Sequence, residues 1–180
     1  MDKQIFRRTC LARLKSSKSH MRFANDKKII SKIEKIIQKE KPKSILFYLP
    51  MALEVNLLSL LKTYKKKLNI YVPFIVEESF KMVEYRLPLE KNSFGIYEPK
   101  AHNFAHKHVD LIIVPVVGID VNMQRVGFGK GMYDRFFARL QKCPKVVFVQ
   151  RETCKTRHKI CDDYDIKCDY YVTSKEFIIN

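Results

Sequence analysis

The sequence lacks a hydrophobic run of the roughly 18 residues that a membrane-spanning helix needs; the apolar stretch Ile112 to Ile119 is only as long as one buried strand. No integral membrane protein is therefore expected. The first residues, Met1-Asp2-Lys3-Gln4, hold no apolar signal core, and the five cysteines are odd in number and lack the spacing of a disulfide framework. A reducing cytoplasm is the compartment these absences imply. Acidic residues are also short, nineteen against thirty-five Lys and Arg for a net charge of +16, so the surface draws anions such as nucleotide, polyglutamate or RNA. The basic residues lie on amphipathic segments, Lys27 to Lys43 and Lys62 to Lys67, with no arginine-rich arm or aromatic-studded basic stretch. A solvated basic face accounts for them without nucleic acid as an obligate partner.

At 180 residues, 46% hydrophobic and 30% charged, the chain has the size and apolar content of a single domain over residues 1–180 that folds alone. Lys3 to Leu14 reads as a helix, and Asp26 can cap a second one whose Ile29, Ile30, Ile33, Ile36 and Ile37 keep helical spacing up to Pro42. Ser44 to Tyr48 is a short strand, followed by a helical pattern at Val55, Leu57, Leu58 and Leu61. Asn69 to Phe74 is the next strand, Phe80 to Leu87 alternates like an edge strand, and Asp110 to Val117 is apolar throughout, as a central parallel strand is. Lys91 to His108 reads as a long surface loop, Met132 to Gln141 as a helix, and Lys145 to Val149 and Tyr170 to Thr173 as closing strands. Helix and strand thus alternate, which predicts a three-layer α/β/α fold around a mostly parallel central sheet.

Glycines 127, 129 and 131 alternate between the buried strand and the following helix. Glycine lets the backbone approach an oxyanion and aim successive N–H groups at it, and a helix N-terminus adds positive potential. Arg125 and Lys130 bring countercharge, and Asp134 beside phosphate-binding cations is explained by magnesium. The pattern is neither a P-loop nor a Rossmann fingerprint. By spacing alone, a tight strand-to-helix turn that needs three flexible positions explains it equally well.

With Pro115, Asp120, Arg125, Gly127, Gly129, Gly131, Tyr133 and Asp134 in this order, the sequence resembles the 5-formyltetrahydrofolate cyclo-ligase family from end to end. Lys3 and Arg7, Tyr48-x-Pro50 with Glu54, Glu98-Pro99, and Asp165 with Asp169 extend the resemblance. It implies an ATP-dependent enzyme that converts 5-formyltetrahydrofolate to 5,10-methenyltetrahydrofolate, with ADP and phosphate as further products and Mg2+ as cofactor. Lys3, Arg7 and the segment Arg125, Gly127, Phe128, Gly129, Lys130, Gly131, Met132 and Tyr133 are implied as ATP contacts. Leu49, Glu54 and Phe128 to Met132 are implied as folate contacts, and Asp134 with Asp165 as the magnesium pair. Arg125, Lys130, Glu54 and Tyr133 are the implied catalytic groups. The substrates expected are ATP and 5-formyltetrahydrofolate, with or without a polyglutamate tail, taken by a monomer with no membrane partner.

Other readings stand beside these. Lys3 and Arg7 are also a solvated pair on one helical face, Glu54 can cap the helix near Val55, and Asp165 sits in an acidic turn, Asp162-Asp163-Tyr164-Asp165. Cys154, His158, Cys161 and Cys168 lack the paired knuckles of a zinc site, and His102, His106 and His108 read as loop residues. Met123 stands where the family has glycine and Met132 where it has a first tyrosine, which bears on the turn geometry and on a base or pterin contact. The competing functions are a basic RNA- or nucleotide-binding protein, and an ATP-dependent enzyme of the same fold with another small substrate.

Overall fold

Strands buried on both faces organise the molecule. A computed structural model of the chain describes residues 2–17, 19–93, 95–100 and 108–180. Seven strands form the main sheet: β1 (Ser44–Leu46), β2 (Asn69–Val76), β3 (Ser79–Glu84), β6 (Leu111–Pro115), β9 (Lys145–Val149), β10 (Tyr170–Val172) and β11 (Phe177–Ile179). Their order is β11-β10-β9-β6-β1-β2-β3; the inner pairs are parallel, and only the edge strands β3 and β11 run antiparallel to their neighbours. β4 (Leu89–Lys91) with β5 (Tyr97–Pro99), and β7 (Gly118–Ile119) with β8 (Arg125–Val126), form two small antiparallel ribbons.

Ile45, Leu111, Ile113 and Val147 point to one face and pack against helices α2 (Ser19–Glu40) and α3 (Leu58–Tyr64). Leu46, Ile112, Val114 and Phe148 point to the other and meet Tyr133 and Phe136 of α4 (Met132–Phe137). Because successive side chains of a strand alternate between faces, the uninterrupted apolar runs feed both layers, and the expected three-layer arrangement follows. Helix α1 (Lys3–Ser16) adds a third, smaller cluster, in which Phe6 and Cys10 pack with Val117, Val126 and Cys154. No helix among the described residues is long and apolar enough to cross a membrane.

Four local expectations differ from the structure. Asp26 does not cap α2: no glycine or proline interrupts residues 19–25, so the helix starts upstream and Asp26 lies buried inside it. Helix α3 begins at Leu58, after Asn56 Oδ1 accepts the Leu58 N–H, so Val55 belongs to the preceding loop. Helix α4 stops at Phe137, where the backbone tightens into i→i+3 bonds from Arg139 to Phe136 and from Leu140 to Phe137. The expected surface loop, Lys91 to His108, contains β5, which pairs with β4 at the loop's start, and His102 and His106 lie outside the described residues.

The cysteine reading is also corrected. Cys10 and Cys154 form a disulfide across a sequence separation of 144, joining α1 to the segment after β9. Sequence spacing reports only nearby partners, whereas this pair is made by the packing of α1 on the far end of the chain.

Candidate active site

The glycine segment leaves the carboxyl ends of the central strands, where open α/β sheets place their ligands. Arg125, on β8, is 6% exposed, and its Nε and Nη2 reach the carbonyl oxygen of Pro115 at the end of β6, both at 3.4 Å. Its Nη1 lies 3.6 Å from Asp134 Oδ2, and its guanidinium stacks 4.9 Å from the ring centroid of Tyr133. Burial pulls the Arg125 pKa down, while Asp134, Tyr133, Glu54 and Asp165 oppose that shift. Gly127 is glycine because of this side chain: a Cβ there would meet Arg125 Nη1 at 2.5 Å. Gly131 takes φ +62° at the start of α4, and Arg135 Nη2 donates to the Lys130 carbonyl at 2.5 Å, tying the loop's end to the helix. Met123 also adopts a left-handed φ of 59°, so methionine takes here a turn conformation that glycine adopts at less cost.

Helix α1 meets the same segment. Arg7 Nε donates to the Gly127 carbonyl at 2.8 Å, and the Lys3 ammonium sits on Asp165 Oδ2 and 3.3 Å from Asp162 Oδ2. Burial alone would lower the Lys3 pKa, but the hydrogen bond and charge of Asp165 outweigh it and the net shift is upward. Asp165 is itself buried and accepts the Asp162 N–H at 2.7 Å. Asp134 Oδ1 is buried with no hydrogen-bond partner among the described residues. Such an atom is costly unless a ligand meets it. Asp165 Oδ2 already holds the Lys3 ammonium and the Asp162 N–H, so Asp134 is the carboxylate open to a cation such as magnesium, which completes its shell with phosphate oxygens and water.

A cleft of about 550 Å³ is lined by Leu49 and Glu54 on one wall and by Arg125, Phe128, Lys130, Gly131, Met132 and Tyr133 on the other. A second depression, about 1050 Å³, adjoins it through Gly131 and Arg135 and takes in Asp134 with Lys142, Lys145 and Lys167. Of the residues expected from sequence, Lys3, Arg7, Gly127, Gly129, Asp134 and Asp165 do not line the cleft; Arg7 braces its glycine segment at the Gly127 carbonyl, and Asp134 and Asp165 act on Arg125. Glu54 does not cap a helix: its Oε2 accepts the Met51 N–H at 2.8 Å, and it is 7% exposed. Burial pushes its pKa up to about 7, although the Met51 N–H, Arg125 and Arg151 each work against that rise. Burial, helped by Glu54, also raises the Tyr133 hydroxyl well above its ordinary range, so it remains a donor.

Three buried charged residues were given no part in the site by the sequence reading, although Asp120 stood in the family signature and Asp26 was read as a helix cap. Asp120 closes the turn before the glycine segment, accepting the N–H groups of Asn122 and Gln124 at 2.8 and 3.0 Å through Oδ1. Asp26 and Arg151 pair with each other beside Glu54. Arg151 carried one overlooked signal, its place just beyond a parallel strand's carboxyl end; Asp26, inside a helix, carried none. Glu98 accepts the Ile75 N–H at 3.2 Å and Asp169 the Val146 N–H at 2.8 Å, which are structural tasks. Of the four zinc candidates, Cys154 is in the disulfide, and burial pushes the thiols of Cys161 and Cys168 up to about 12. His108 pairs with Asp110 at 3.3 Å.

Known proteins share the sequence pattern and the fold of this chain. The sequence profile of the 5-formyltetrahydrofolate cyclo-ligase family matches residues 1–163. The 5-formyltetrahydrofolate cyclo-ligase of Haemophilus influenzae is 27% identical over 109 residues, 56% of this chain and 58% of that protein, so the match spans less than two thirds of that relative. The Mycoplasma pneumoniae protein of the same name is 24% identical over 182 residues, covering 97% of this chain and 100% of the relative. The solved structure of Aquifex aeolicus 5,10-methenyltetrahydrofolate synthetase superposes with a TM-score of 0.85 at 28% identity, over 99% of this chain and 93% of that one. The chain belongs to the 5-formyltetrahydrofolate cyclo-ligase family.

Proposed function

We propose that this chain, acting as one domain, converts 5-formyltetrahydrofolate to 5,10-methenyltetrahydrofolate at the expense of ATP. The observation that carries the proposal is the meeting, at one cleft, of a phosphate-type glycine segment with buried Arg125 and a facing wall bearing buried Glu54. The formyl oxygen attacks the γ-phosphorus, forming an O–P bond as ADP leaves. N10 then bonds to the activated carbon, the oxygen departs on phosphate, and the N10 proton is lost. Little side-chain chemistry is needed, because positioning and charge stabilisation supply most of the rate in phosphoryl transfer. Arg125, Lys130 and the backbone from Gly127 to Tyr133 hold the phosphates, and Arg7 and Lys3 brace that segment from α1. Glu54, with Leu49, orients the folate near N10, while the Tyr133 hydroxyl stays a donor. Asp134 and Asp165 would hold magnesium, which would neutralise charge developing on the phosphates.

The protein works as a monomer in a reducing cytoplasm, where Cys10 and Cys154 would be a thiol pair in the same contact. Neither nucleic acid nor membrane is a partner. The basic surface, +16 overall, favours folates whose tails carry extra glutamates.

The test is direct. Purified protein with 5-formyltetrahydrofolate and Mg-ATP develops the near-ultraviolet absorbance of the methenyl product. Lys130→Ala and Asp134→Asn each lower turnover by about a hundredfold or more with an unchanged circular dichroism spectrum. A folded unmutated protein that makes no product, and binds no Mg-ATP in calorimetry, refutes the proposal.

A further inference from the structure

Glu54 sits on the least regular wall of the cleft: residues 47–57, between β1 and α3, contain no helix or strand. That wall is held by two residues remote from it in sequence. Arg151, 5% exposed, donates from Nε to Asp26 Oδ1 at 2.8 Å and from Nη2 to Asp26 Oδ2 at 2.9 Å. The same guanidinium reaches the carbonyl oxygens of Leu53, at 3.3 Å, and of Glu54. Asp26 Oδ2 in turn accepts the Asn56 N–H at 3.0 Å. One buried ion pair therefore fixes three backbone points in and beside Glu54, leaving its carboxylate to the Met51 N–H and the cleft.

Stability gives little reason to keep such a pair, since apolar residues of similar volume often replace a buried ion pair at no cost. Apolar residues cannot supply donors for the Leu53 and Glu54 carbonyls or an acceptor for the Asn56 N–H. Lysine replaces it poorly, because its single nitrogen cannot span the two carboxylate oxygens and two carbonyls that the planar guanidinium reaches from three nitrogens. We propose that the Arg151–Asp26 pair is a positioning device that sets the Glu54 loop, and with it the fit of the folate, an inference that rests on Glu54 facing that substrate.

Kinetics of three variants test it. Arg151→Lys keeps a cation beside Asp26 and loses the fork; the KM for 5-formyltetrahydrofolate rises about tenfold, the scale of one or two lost charge-assisted hydrogen bonds, while the KM for Mg-ATP stays within twofold. The double variant Asp26→Leu with Arg151→Met removes both charges together; its thermal midpoint lies above that of either single variant, because no unpaired charge stays buried, and it keeps the raised folate KM. A purely structural pair would behave otherwise. The proposal is overturned by a folded Arg151→Lys protein whose two KM values rise together or stay unchanged, or by a double variant whose folate KM recovers along with its stability. Glu54→Gln with an unaltered folate KM would instead overturn the placement of Glu54, whatever the pair does.

Discussion

The two walls of the cleft reach rigidity by opposite routes. The glycine wall is built from one contiguous stretch in which neighbours constrain one another: Gly127 makes room for Arg125, Gly131 takes a left-handed φ, and α4 begins immediately after. The Glu54 wall has local hydrogen bonds, from the Met51 N–H to Glu54 and from the Tyr48 hydroxyl to the Val55 carbonyl, but depends also on Asp26 from α2 and Arg151 from beyond β9. Backbone conformation that needs glycine must be written where it is used, whereas a side-chain clamp can come from anywhere the fold brings close. A change within the first wall should therefore damage phosphate handling directly, and a change at the second should act on the folate.

The largest effect is expected from Gly127→Ala. The new Cβ would fall 2.5 Å from Arg125 Nη1 and 2.6 Å from Cζ, and that guanidinium is buried against the Pro115 carbonyl, so it cannot turn aside without leaving Asp134 and Tyr133. Turnover should fall by about 10²- to 10³-fold, as when one preorganised stabilising group is lost, with the KM for Mg-ATP raised and folate binding by calorimetry nearly unchanged. Gly129→Ala is the control: its Cβ meets nothing within 4 Å, but its φ of +110° leaves strain as the sole penalty. That strain should cost about 1–2 kcal/mol of stability. Equal turnover losses in the two variants would contradict the distinction between collision and strain.

On the opposite wall the expected effect is smaller and depends on pH. Glu54 is held up to about 7 by burial, against the Met51 N–H, Arg125 and Arg151, with the neutral hydroxyls of Tyr48 and Tyr133 also near it. If the anion orients the folate, kcat/KM rises as the pH climbs through about 7 and then levels, and Glu54→Gln removes that limb and lowers the plateau about tenfold. Stability should move the other way. From the ordinary value of 4.5 up to about 7 the folded state holds this proton more tightly than the unfolded chain, so the stability contributed by Glu54 is lost as pH rises through that window. Chemical denaturation of the unmutated protein and Glu54→Gln at pH 5 and pH 8 would expose the difference. Parallel behaviour of the two proteins would mean that Glu54 does not titrate there.

What was legible in the sequence follows the same division. The buried run at Asp110 to Val117 announced a parallel strand because both its faces are covered, whereas Lys145 to Val149 read only as a closing strand and lies inside the sheet between β6 and β10; the glycine segment announced its own turn. Asp26 looked like a helix cap because a cap is a local pattern, and nothing nearby in sequence shows that an arginine 125 positions away claims its carboxylate. The Cys10–Cys154 bond was hidden for the same reason. Glu54 was found through the family resemblance, yet its elevated pKa required the fold, since burial by residues from several elements causes it.

The disulfide offers the finest test of the contrast between the walls. Cys10 lies on the helix whose Arg7 holds the Gly127 carbonyl at 2.8 Å, and Cys154 follows the strand that delivers Arg151. The bond crosses a sequence separation of 144, so a chain-entropy estimate assigns its loss about 4–5 kcal/mol. Its effect on turnover should be the smallest of the three. The buried packing of Phe6, Val117 and Val126 still seats α1 when the sulfurs are reduced, and Arg7 keeps its contact for most of the time. Treatment with a thiol reductant, or Cys10→Ser, should lower the thermal midpoint clearly while raising the KM for Mg-ATP only about two- to threefold, an increment below 1 kcal/mol. The folate KM should not move, because Asp26 and Arg151 clamp the Glu54 loop independently of α1. A rise in the folate KM on reduction would show that the two walls are mechanically joined through the segment between Arg151 and Cys154, and the comparison would have to be abandoned.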